Sequence, residues 1–336
     1  VGDGGFGQNP AVLATAADPN ADLSAAVTTL RTSARVTWVE PVYLRKPVGE
    51  MPNADRGMEN AASKPRPSGR ADGVQTEKSE PRPSGRAATA PAAALTFNDP
   101  LYAQQWHLGA TNVPQAWQWL AANSLSPGGS RDIVVAVIDT GVDYAHPDLA
   151  DNIWTNSREI AGNGIDDDGN GFVDDIHGAD TVAGDGDPQD DHGHGTHVAG
   201  IIAAQANNGI GGVGVAYNVQ IMPIKAAQYS GVLASSDIAE AIYYAVTQGA
   251  DVINMSFGGY ARSQVEEDAL ATAFGQAVLV AAAGNDGKVN LPCPLGRDMY
   301  PAAYNWVLGV MASIQGGSLA SFSNFDCHPR DSHEYE

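Results

Sequence analysis

The chain has 336 residues, 43% of them hydrophobic and 17% charged, with 38 Gly and 20 Pro. That is ordinary globular composition, with room for one large domain and further segments. Its 18 basic and 39 acidic residues give a net charge of −21, which disfavours nucleic acid as a partner because a phosphate backbone is bound through Lys and Arg. No apolar run approaches the ~18 residues needed to cross a bilayer, so no integral membrane segment is expected. The sequence opens at Val1 without an initiator Met or a charged-then-apolar leader, so any signal peptide would precede it. Cys293 and Cys327 allow at most one disulfide and say little about compartment.

The charge is unevenly spread. Residues 1–95 carry 11 basic and 10 acidic side chains, whereas residues 96–336 carry 7 and 29. Between Asp139 and Asp191 lie 15 acidic residues and one base, Arg158. Carboxylates at that density repel one another unless something cationic sits among them. A solvated acidic face is the plain reading of such a run, but its internal spacing, described below, favours a bound cation.

In chain order, residues 1–45 read as part of a small folded piece. A short helix is predicted over 23–30, and strands at Val36-Thr37-Trp38-Val39 and Val42-Tyr43-Leu44. Forty-five residues are too few to bury a stable core alone. Residues 46–95 are rich in Pro, Gly, Ser and Ala. They repeat Pro65-Arg66-Pro67-Ser68-Gly69-Arg70-Ala71 as Pro81-Arg82-Pro83-Ser84-Gly85-Arg86-Ala87, which predicts a solvated, disordered linker whose exposed Arg residues invite cleavage.

From about Thr96 to residue 336 the pattern becomes α/β. Ile133-Val134-Val135-Ala136-Val137-Ile138 is a continuous apolar strand of the kind covered on both faces. Further strands are predicted over 220–225, 251–255, 277–282 and 306–311. Helices are predicted over 195–206, 236–248 and 263–275, the last two starting at Ser residues suited to N-capping. Alternating strand and helix predicts a doubly wound, mostly parallel sheet with helices on both faces. Chemistry in such sheets gathers at the carboxyl ends of the strands.

Three elements point to that rim. Asp139 directly follows the first buried strand, in Val137-Ile138-Asp139-Thr140-Gly141; alone, it reads equally well as a turn-starting Asp. Aspartic proteases need two Asp-Thr-Gly sites, and this chain has one. In Asp190-Asp191-His192-Gly193-His194-Gly195-Thr196-His197-Val198-Ala199-Gly200, three His within six residues raise the possibility of zinc. No Glu separates His194 from His197, however, and the metalloprotease spacing fails. The alternative places His194 at the start of a helix whose small residues allow close packing. There it can act as general base, with Asp139 fixing its tautomer. Finally, Val278-Leu279-Val280-Ala281-Ala282-Ala283-Gly284-Asn285-Asp286-Gly287 ends a strand in an amide donor, Asn285, which by itself is an ordinary turn residue.

Taken together, these motifs resemble the subtilisin-like serine proteases (subtilases, peptidase family S8) in order, spacing and context over roughly residues 96–323. The resemblance implies that Asp139 and His194 belong to a catalytic triad and that Asn285 lines the oxyanion hole, where removal of one donor costs about 10²–10³ in rate. It extends to His146-Pro147-Asp148-Leu149 and to Ile253-Asn254-Met255-Ser256-Phe257-Gly258-Gly259. By that match Ser256, Phe257 and Gly258 wall the substrate cleft and offer backbone groups for strand addition, and Phe257 with its small neighbours suggests a roomy apolar pocket. Residues 1–45, ending near Ser33-Ala34-Arg35-Val36-Thr37-Trp38-Val39-Glu40-Pro41-Val42-Tyr43, look like the C-terminal part of a subtilase propeptide that inhibits its own active site, with cleavage between about Lys46 and Leu95. The resemblance also implies a secreted, monomeric endopeptidase acting on polypeptide substrates.

Calcium is the cation expected among the carboxylates. Asp166-Asp167-Asp168-Gly169-Asn170-Gly171-Phe172-Val173-Asp174-Asp175 sets oxygens at alternate positions around Gly, like the front half of an EF-hand loop. It lacks the Glu at the twelfth position, where His177 stands. Asp166, Asp168, Asn170, Phe172, Asp174 and Asp175 are the candidate ligands. A second calcium site is implied by the family resemblance alone: carbonyls of Ala206, Ile210 and Gly212, the Asn208 side chain, and the carboxylates of Asp148 and Asp99.

The expected nucleophile is missing. No Gly-Thr-Ser-Met-Ala motif occurs in the 336 residues. Ser318, Ser321 and Ser323 lie before the expected position and lack its context, and after Asn324 the apolar pattern stops. The chain as written is therefore expected to be inactive: a truncated or frameshifted sequence, a fragment, or a degenerate homologue. The intact Asp, His and Asn motifs favour truncation. The rival reading is a non-catalytic pseudoprotease that keeps the cleft and the calcium sites.

Overall fold

A computed structural model of the chain describes residues 44–47 (as backbone), 95–287 and 298–325. The helix predicted over 23–30, the strand over 36–39, the linker beyond Pro47 and both cysteines lie outside these described residues. The first described element is β1 (Leu44–Pro47). Helices α1 (Trp106–Ala110) and α2 (Val113–Ala122) follow. Then come β2 (Val134–Asp139), β3 (Ala179–Asp180), α3 (His194–Ala203) and β4 (Gln220–Lys225). The remainder is β5 (Leu233–Ala234), α4 (Ser235–Thr247), β6 (Val252–Met255), β7 (Phe257–Gly258), α5 (Gln264–Ala273), β8 (Val278–Ala282) and β9 (Val307–Val310).

Six strands form one sheet in the order β3-β4-β2-β6-β8-β9, and every pairing within it is parallel. The doubly wound, mostly parallel sheet expected from the sequence is present. Each residue of β2 is buried, because alternate side chains enter opposite layers. Val134, Ala136 and Ile138 pack in a core with Ile238, Ala241 and Ile242 of α4 and Leu270 of α5. Val135 and Val137 pack on the other side with Ala199 and Ala203 of α3. The apolar positions of α4, at 238, 241, 242 and 245, have the spacing of one helical face. Ser263 caps α5 by accepting the Glu266 N–H, as the sequence suggests. Before α4, in contrast, Ala234 holds the cap position and makes no side-chain cap bond.

From β2 the chain goes to β3 at the sheet edge and comes back to β4 beside β2, then crosses β2 to β6, β8 and β9. Strand order therefore reverses beside β2, and Asp139 is its last residue. A crevice for ligand opens at such a reversal, outside the carboxyl ends of the strands. Helices α1 and α2, which the sequence reading did not identify, pack Leu108 and Trp117 around Val213. The Trp117 indole N–H donates to the Val215 carbonyl at 2.9 Å. That clasp fixes the segment downstream of α3, next to the loop at 206–212.

A second, three-stranded sheet has the order β5-β1-β7. Leu44 and Arg45 stand opposite Ala234 and Leu233, and Lys46 and Pro47 stand opposite Gly258 and Phe257, antiparallel in both cases. Lys46 and Pro47, at the start of the predicted linker, are thus paired as strand.

Candidate active site

The rim of the sheet is built from three places in the sequence. Asp139 ends β2 and is 1% exposed. His194 begins α3, and its Nδ1 lies 2.7 Å from Asp139 Oδ1. The Thr140 backbone N–H donates to the same oxygen at 2.7 Å, while Asp139 Oδ2 is buried without a hydrogen-bond partner. A desolvated carboxylate with spare acceptor capacity favours positive charge on its neighbour. Because the carboxylate accepts, neutral His194 carries its proton on Nδ1, which leaves Nε2 with its lone pair as a base.

Close approach of α3 to β2 depends on one residue. A Cβ on Gly195 would stand 2.1 Å from the Gly141 carbonyl oxygen and 3.0 Å from Asp139 Cβ. The Gly195 N–H instead donates to Thr140 Oγ1 at 2.9 Å. This geometry disfavours the zinc alternative: His194 is committed to Asp139, while His192 and His197 are exposed. Among the described residues, the one group of His, Cys, Asp or Glu side chains close enough to share an ion is elsewhere.

Asn285, half-buried, sits in the turn after β8. Asn324, which the sequence reading marked only as the end of the resemblance, holds that turn. Its N–H donates to the Gly284 carbonyl at 2.9 Å and its Oδ1 accepts from the Asp286 N–H at 3.1 Å. Gly284 has φ of +104°, and a Cβ there would meet Asn324 Nδ2 at 2.4 Å, so only glycine fits. Next to this turn, β6 leads through Ser256 into β7. Phe257 is completely buried in the main core, so it offers the cleft backbone rather than an aromatic wall. Its neighbours Ser256 and Gly258 are half-buried.

The three serines near residue 320 look unlike nucleophiles. Ser323 is 1% exposed, and its hydroxyl accepts from the Ala312 N–H and donates to the Asn324 carbonyl, both at 2.9 Å. Ser318 and Ser321 are exposed, outside any helix or strand.

The acidic insert divides into two kinds of carboxylate. Asp166 accepts the N–H groups of Gly169, Asn170 and Gly171, and Asp174 accepts those of Asn163 and Gly164; both shape the loop. Asn170 Oδ1 accepts the Phe172 N–H, and the Phe172 ring packs edge-on against Tyr244. Asp168 and Asp175 instead converge with Glu159, offering carboxylate oxygens within 4.8 Å of one another. Glu159 was missed because it lies outside the repeating Asp-Gly pattern. Its Oε1 accepts from the N–H groups of Asp167 and Asp168, while its Oε2 is buried with no partner. Asn156, Gln248 and Tyr244 donate to Asp168 or Asp175, and Arg158 pairs with Asp168 at 3.1 Å. Burial holds the Asp175 carboxyl above the usual carboxylate range despite the bonds from Tyr244, Asn170 and Asn156. Three hard oxygen donors with one orphaned buried oxygen fit a calcium ion.

The second predicted set is also brought together. The N–H groups of Asn207 and Asn208 donate to Asp99, and Asn208 Nδ2 donates to Asp148 at 2.7 Å. Asp99 and Asp148 are 4% and 5% exposed. Gln105, not anticipated from sequence, ties its side chain to both backbone groups of Val213, beside Gly212. The Gly212 N–H also donates to Asp148, so the loop at 206–212 closes on two buried carboxylates, hard oxygen donors of the kind calcium takes.

The glycine requirement is testable by substitution. Gly195→Ala should lower stability by about 1–3 kcal/mol through overpacking against Gly141. Gly200→Ala, where the same helix has open space, should be neutral or stabilising by up to ~1 kcal/mol. Urea midpoints of the two variants check the contrast.

The geometry can now be set beside known proteins. Residues 130–336 match the Subtilase family, Peptidase S8. A thermophilic serine proteinase of Bacillus sp. (strain AK1) is 39% identical over 234 residues, 69% of this chain and 50% of that protein. Halolysin of Haloferax mediterranei is 37% identical over 240 residues, 69% of this chain and 39% of that protein. Subtilisin-like protease 1 of Plasmodium vivax is 36% identical over 229 residues, 68% of this chain and 35% of that protein. The matched regions thus span half or less of these curated relatives. With the family match covering most of the chain and the Asp139–His194 pair at the carboxyl rim of a parallel sheet, the chain belongs to the subtilase family of serine proteases.

Proposed function

We propose that this chain is part of a secreted, calcium-stabilised serine endopeptidase that hydrolyses polypeptides, acts as a monomer, and is held inactive by its own N-terminal segment. The observation that carries this reading is the 2.7 Å contact between buried Asp139 and His194 Nδ1. His194 Nε2 takes the proton of a serine hydroxyl as it attacks the peptide carbonyl, then returns it to the leaving amine. Asp139 keeps the imidazole in the required tautomer and stabilises the imidazolium. Asn285, on a turn fixed by Asn324, donates to the developing oxyanion together with a backbone N–H. The serine itself is proposed to lie in polypeptide beyond Glu336, since the 336 residues hold no Gly-Thr-Ser-Met-Ala motif. Secretion is favoured by the likeness to halolysin and to an extracellular halolysin-like protease of Natrialba magadii; among the described residues no helix is long and apolar enough to cross a membrane.

The antiparallel pairing of β1 supports inhibition by residues 1–45 and their immediate continuation. Leu44–Pro47 runs as an extended strand between β5 and β7, the mode in which a peptide adds to an exposed sheet edge. From Phe257 its direction leads toward Ser256 and the carboxyl end of β6. Asp139, the last residue of β2, and Asn285, in the turn after β8, follow the strands on either side of β6. A peptide substrate is proposed to take the same track once this strand leaves.

Calcium is proposed at two places: Glu159, Asp168 and Asp175 in the acidic insert, with Asn170 beside them, and Asp99, Asp148, Asn208 and the 206–212 carbonyls. When bound, it neutralises the buried carboxylates and so stabilises the folded state by mass action. The absence of the serine motif favours a second reading, a non-catalytic homologue that retains the cleft.

Protein from the native source separates the two readings. A product heavier than the 336-residue chain, labelled by a serine-directed phosphonate and active on casein, is the expected result. His194→Ala should lower kcat by about 10⁴-fold or more. A product ending at Glu336 that takes up no phosphonate would leave the non-catalytic reading. Calcium at about 100 times its Kd should add about 2.7 kcal/mol per site. Glu159→Gln should remove most of one such increment in a calcium-dependent melting series.

A further inference from the structure

The Asp139–His194 contact joins the end of a strand to the start of a helix, and neither element alone fixes its length. Helix α3 has Gly193 at its N-cap position and takes no side-chain cap from it. The cap comes from Asp190, three residues earlier, and it reaches both elements. Asp190 Oδ2 accepts the Thr196 N–H at 3.0 Å and the Thr196 hydroxyl at 2.5 Å. Asp190 Oδ1 accepts the N–H groups of His192 and Gly193 at 2.9 and 2.8 Å, and the Thr140 hydroxyl at 2.9 Å. Five donors fill the roughly four lone-pair directions of one carboxylate.

The two threonines are the residues next to and near the pair. Thr140 follows Asp139, gives its N–H to Asp139 Oδ1 and accepts the Gly195 N–H. Thr196 lies two residues after His194, and its hydroxyl oxygen also accepts the Asp143 N–H at 2.9 Å. The bonds close a ring through Asp139, Thr140, Asp190, the first turn of α3 and His194. The adjoining Asp191 is held by Lys225 Nζ at 2.9 Å, which also approaches Asp180 at 3.7 Å. An ordinary capping carboxylate would serve the helix only. Asp190 spends one oxygen on the helix and uses the other to bind the strand end and the approaching loop.

We propose that Asp190 is a positioning residue for the reaction: through the Thr140 hydroxyl and the first turn of α3 it sets the Nδ1–Oδ1 distance that makes His194 a base. This rests on the reading of Asp139 and His194 as the catalytic pair. A displacement of about 1 Å at such a contact can cost on the order of 10² in rate. Burial works against ionisation of Asp190, but the N–H groups of Gly193, His192 and Thr196 and the Thr196 hydroxyl outweigh it. They hold its carboxyl below the usual range, so the clamp is charged at neutral pH and sits favourably at the positive end of α3.

The test is hydrogen exchange of the His194 Nδ1 proton, read by NMR on the full chain with ¹⁵N-labelled histidine and assigned by its loss in His194→Ala. Asp190→Ala and Thr140→Val should each speed exchange of this proton with water by about tenfold. Thr140→Ser, which keeps the hydroxyl, should restore the slow rate. A carboxylate that merely stabilised the fold would lower the urea midpoint and speed exchange of this proton only in step with the slowest backbone amides, which report global opening, so the tenfold effect is read relative to those amides. Exchange within twofold of wild type in folded Asp190→Ala and Thr140→Val would overturn the proposal. If Asp190→Ala does not fold, Thr140→Val and Asp190→Asn decide, the latter keeping one acceptor oxygen and giving an intermediate rate. A wild-type chain with no protected Nδ1 proton would overturn the catalytic pair itself, a different failure from a protected proton indifferent to Asp190.

Discussion

The fold is organised around one short hydrogen bond between two elements 55 residues apart, the Nδ1–H of His194 donating to Asp139 at the carboxyl rim of the sheet. A carboxylate that is 1% exposed is costly to keep ionised, and the imidazole and the Thr140 N–H offset that cost. Everything nearby serves the approach that makes the bond possible. The parallel sheet delivers Asp139 to its rim, α3 packs Ala199 and Ala203 closely on β2, and Gly195 removes the one Cβ that would keep them apart.

The same logic extends along the rim. β6 and β8 lie beside β2, so the residues that follow them, Ser256 and Asn285, are gathered at one end without any local sequence relation between them. β1 runs into that end as an added strand. Two calcium-compatible clusters sit on the loops that bracket α3 rather than at the rim itself, which suits a structural role over a chemical one. Their carboxylates are buried next to one another, and a hard cation is the cheapest way to hold such a group together.

Much of this was legible in the sequence. The strand over 220–225 coincides with β4, and the other strand and helix limits expected within 133–311 differ by at most three residues, because continuous apolar runs and helical spacing reflect two buried faces directly. Asp139, His194 and Asn285 each stand where an apolar strand or small-residue helix meets a polar turn, which alone fits an ordinary turn residue; only their order and spacing together, which resemble those of subtilases, singled them out. Residues that act through long-range contacts were not legible. Glu159 belongs to no local motif and joins Asp168 and Asp175 only through the folded loop. Asn324 reaches Gly284 and Asp286 across about 40 positions, and Gln105 reaches Val213 across 108. Phe257 was expected to line a pocket, and its side chain turned inward instead, since strand alternation put it on the core face. Helix α2 escaped notice because Trp117 alone of its residues is buried, so its apolar stripe is too narrow to register.

The account stands on His194 being a neutral base protonated at Nδ1 and held there by Asp139. The most direct measurement is the ¹⁵N NMR tautomer assignment of His194 at neutral pH in the wild-type chain and in Asp139→Asn. A proton on Nδ1 in wild type, with the tautomer reversed or mixed in the variant, is what the geometry predicts. A wild-type histidine protonated mainly at Nε2, or one unaffected by Asp139→Asn, would contradict it.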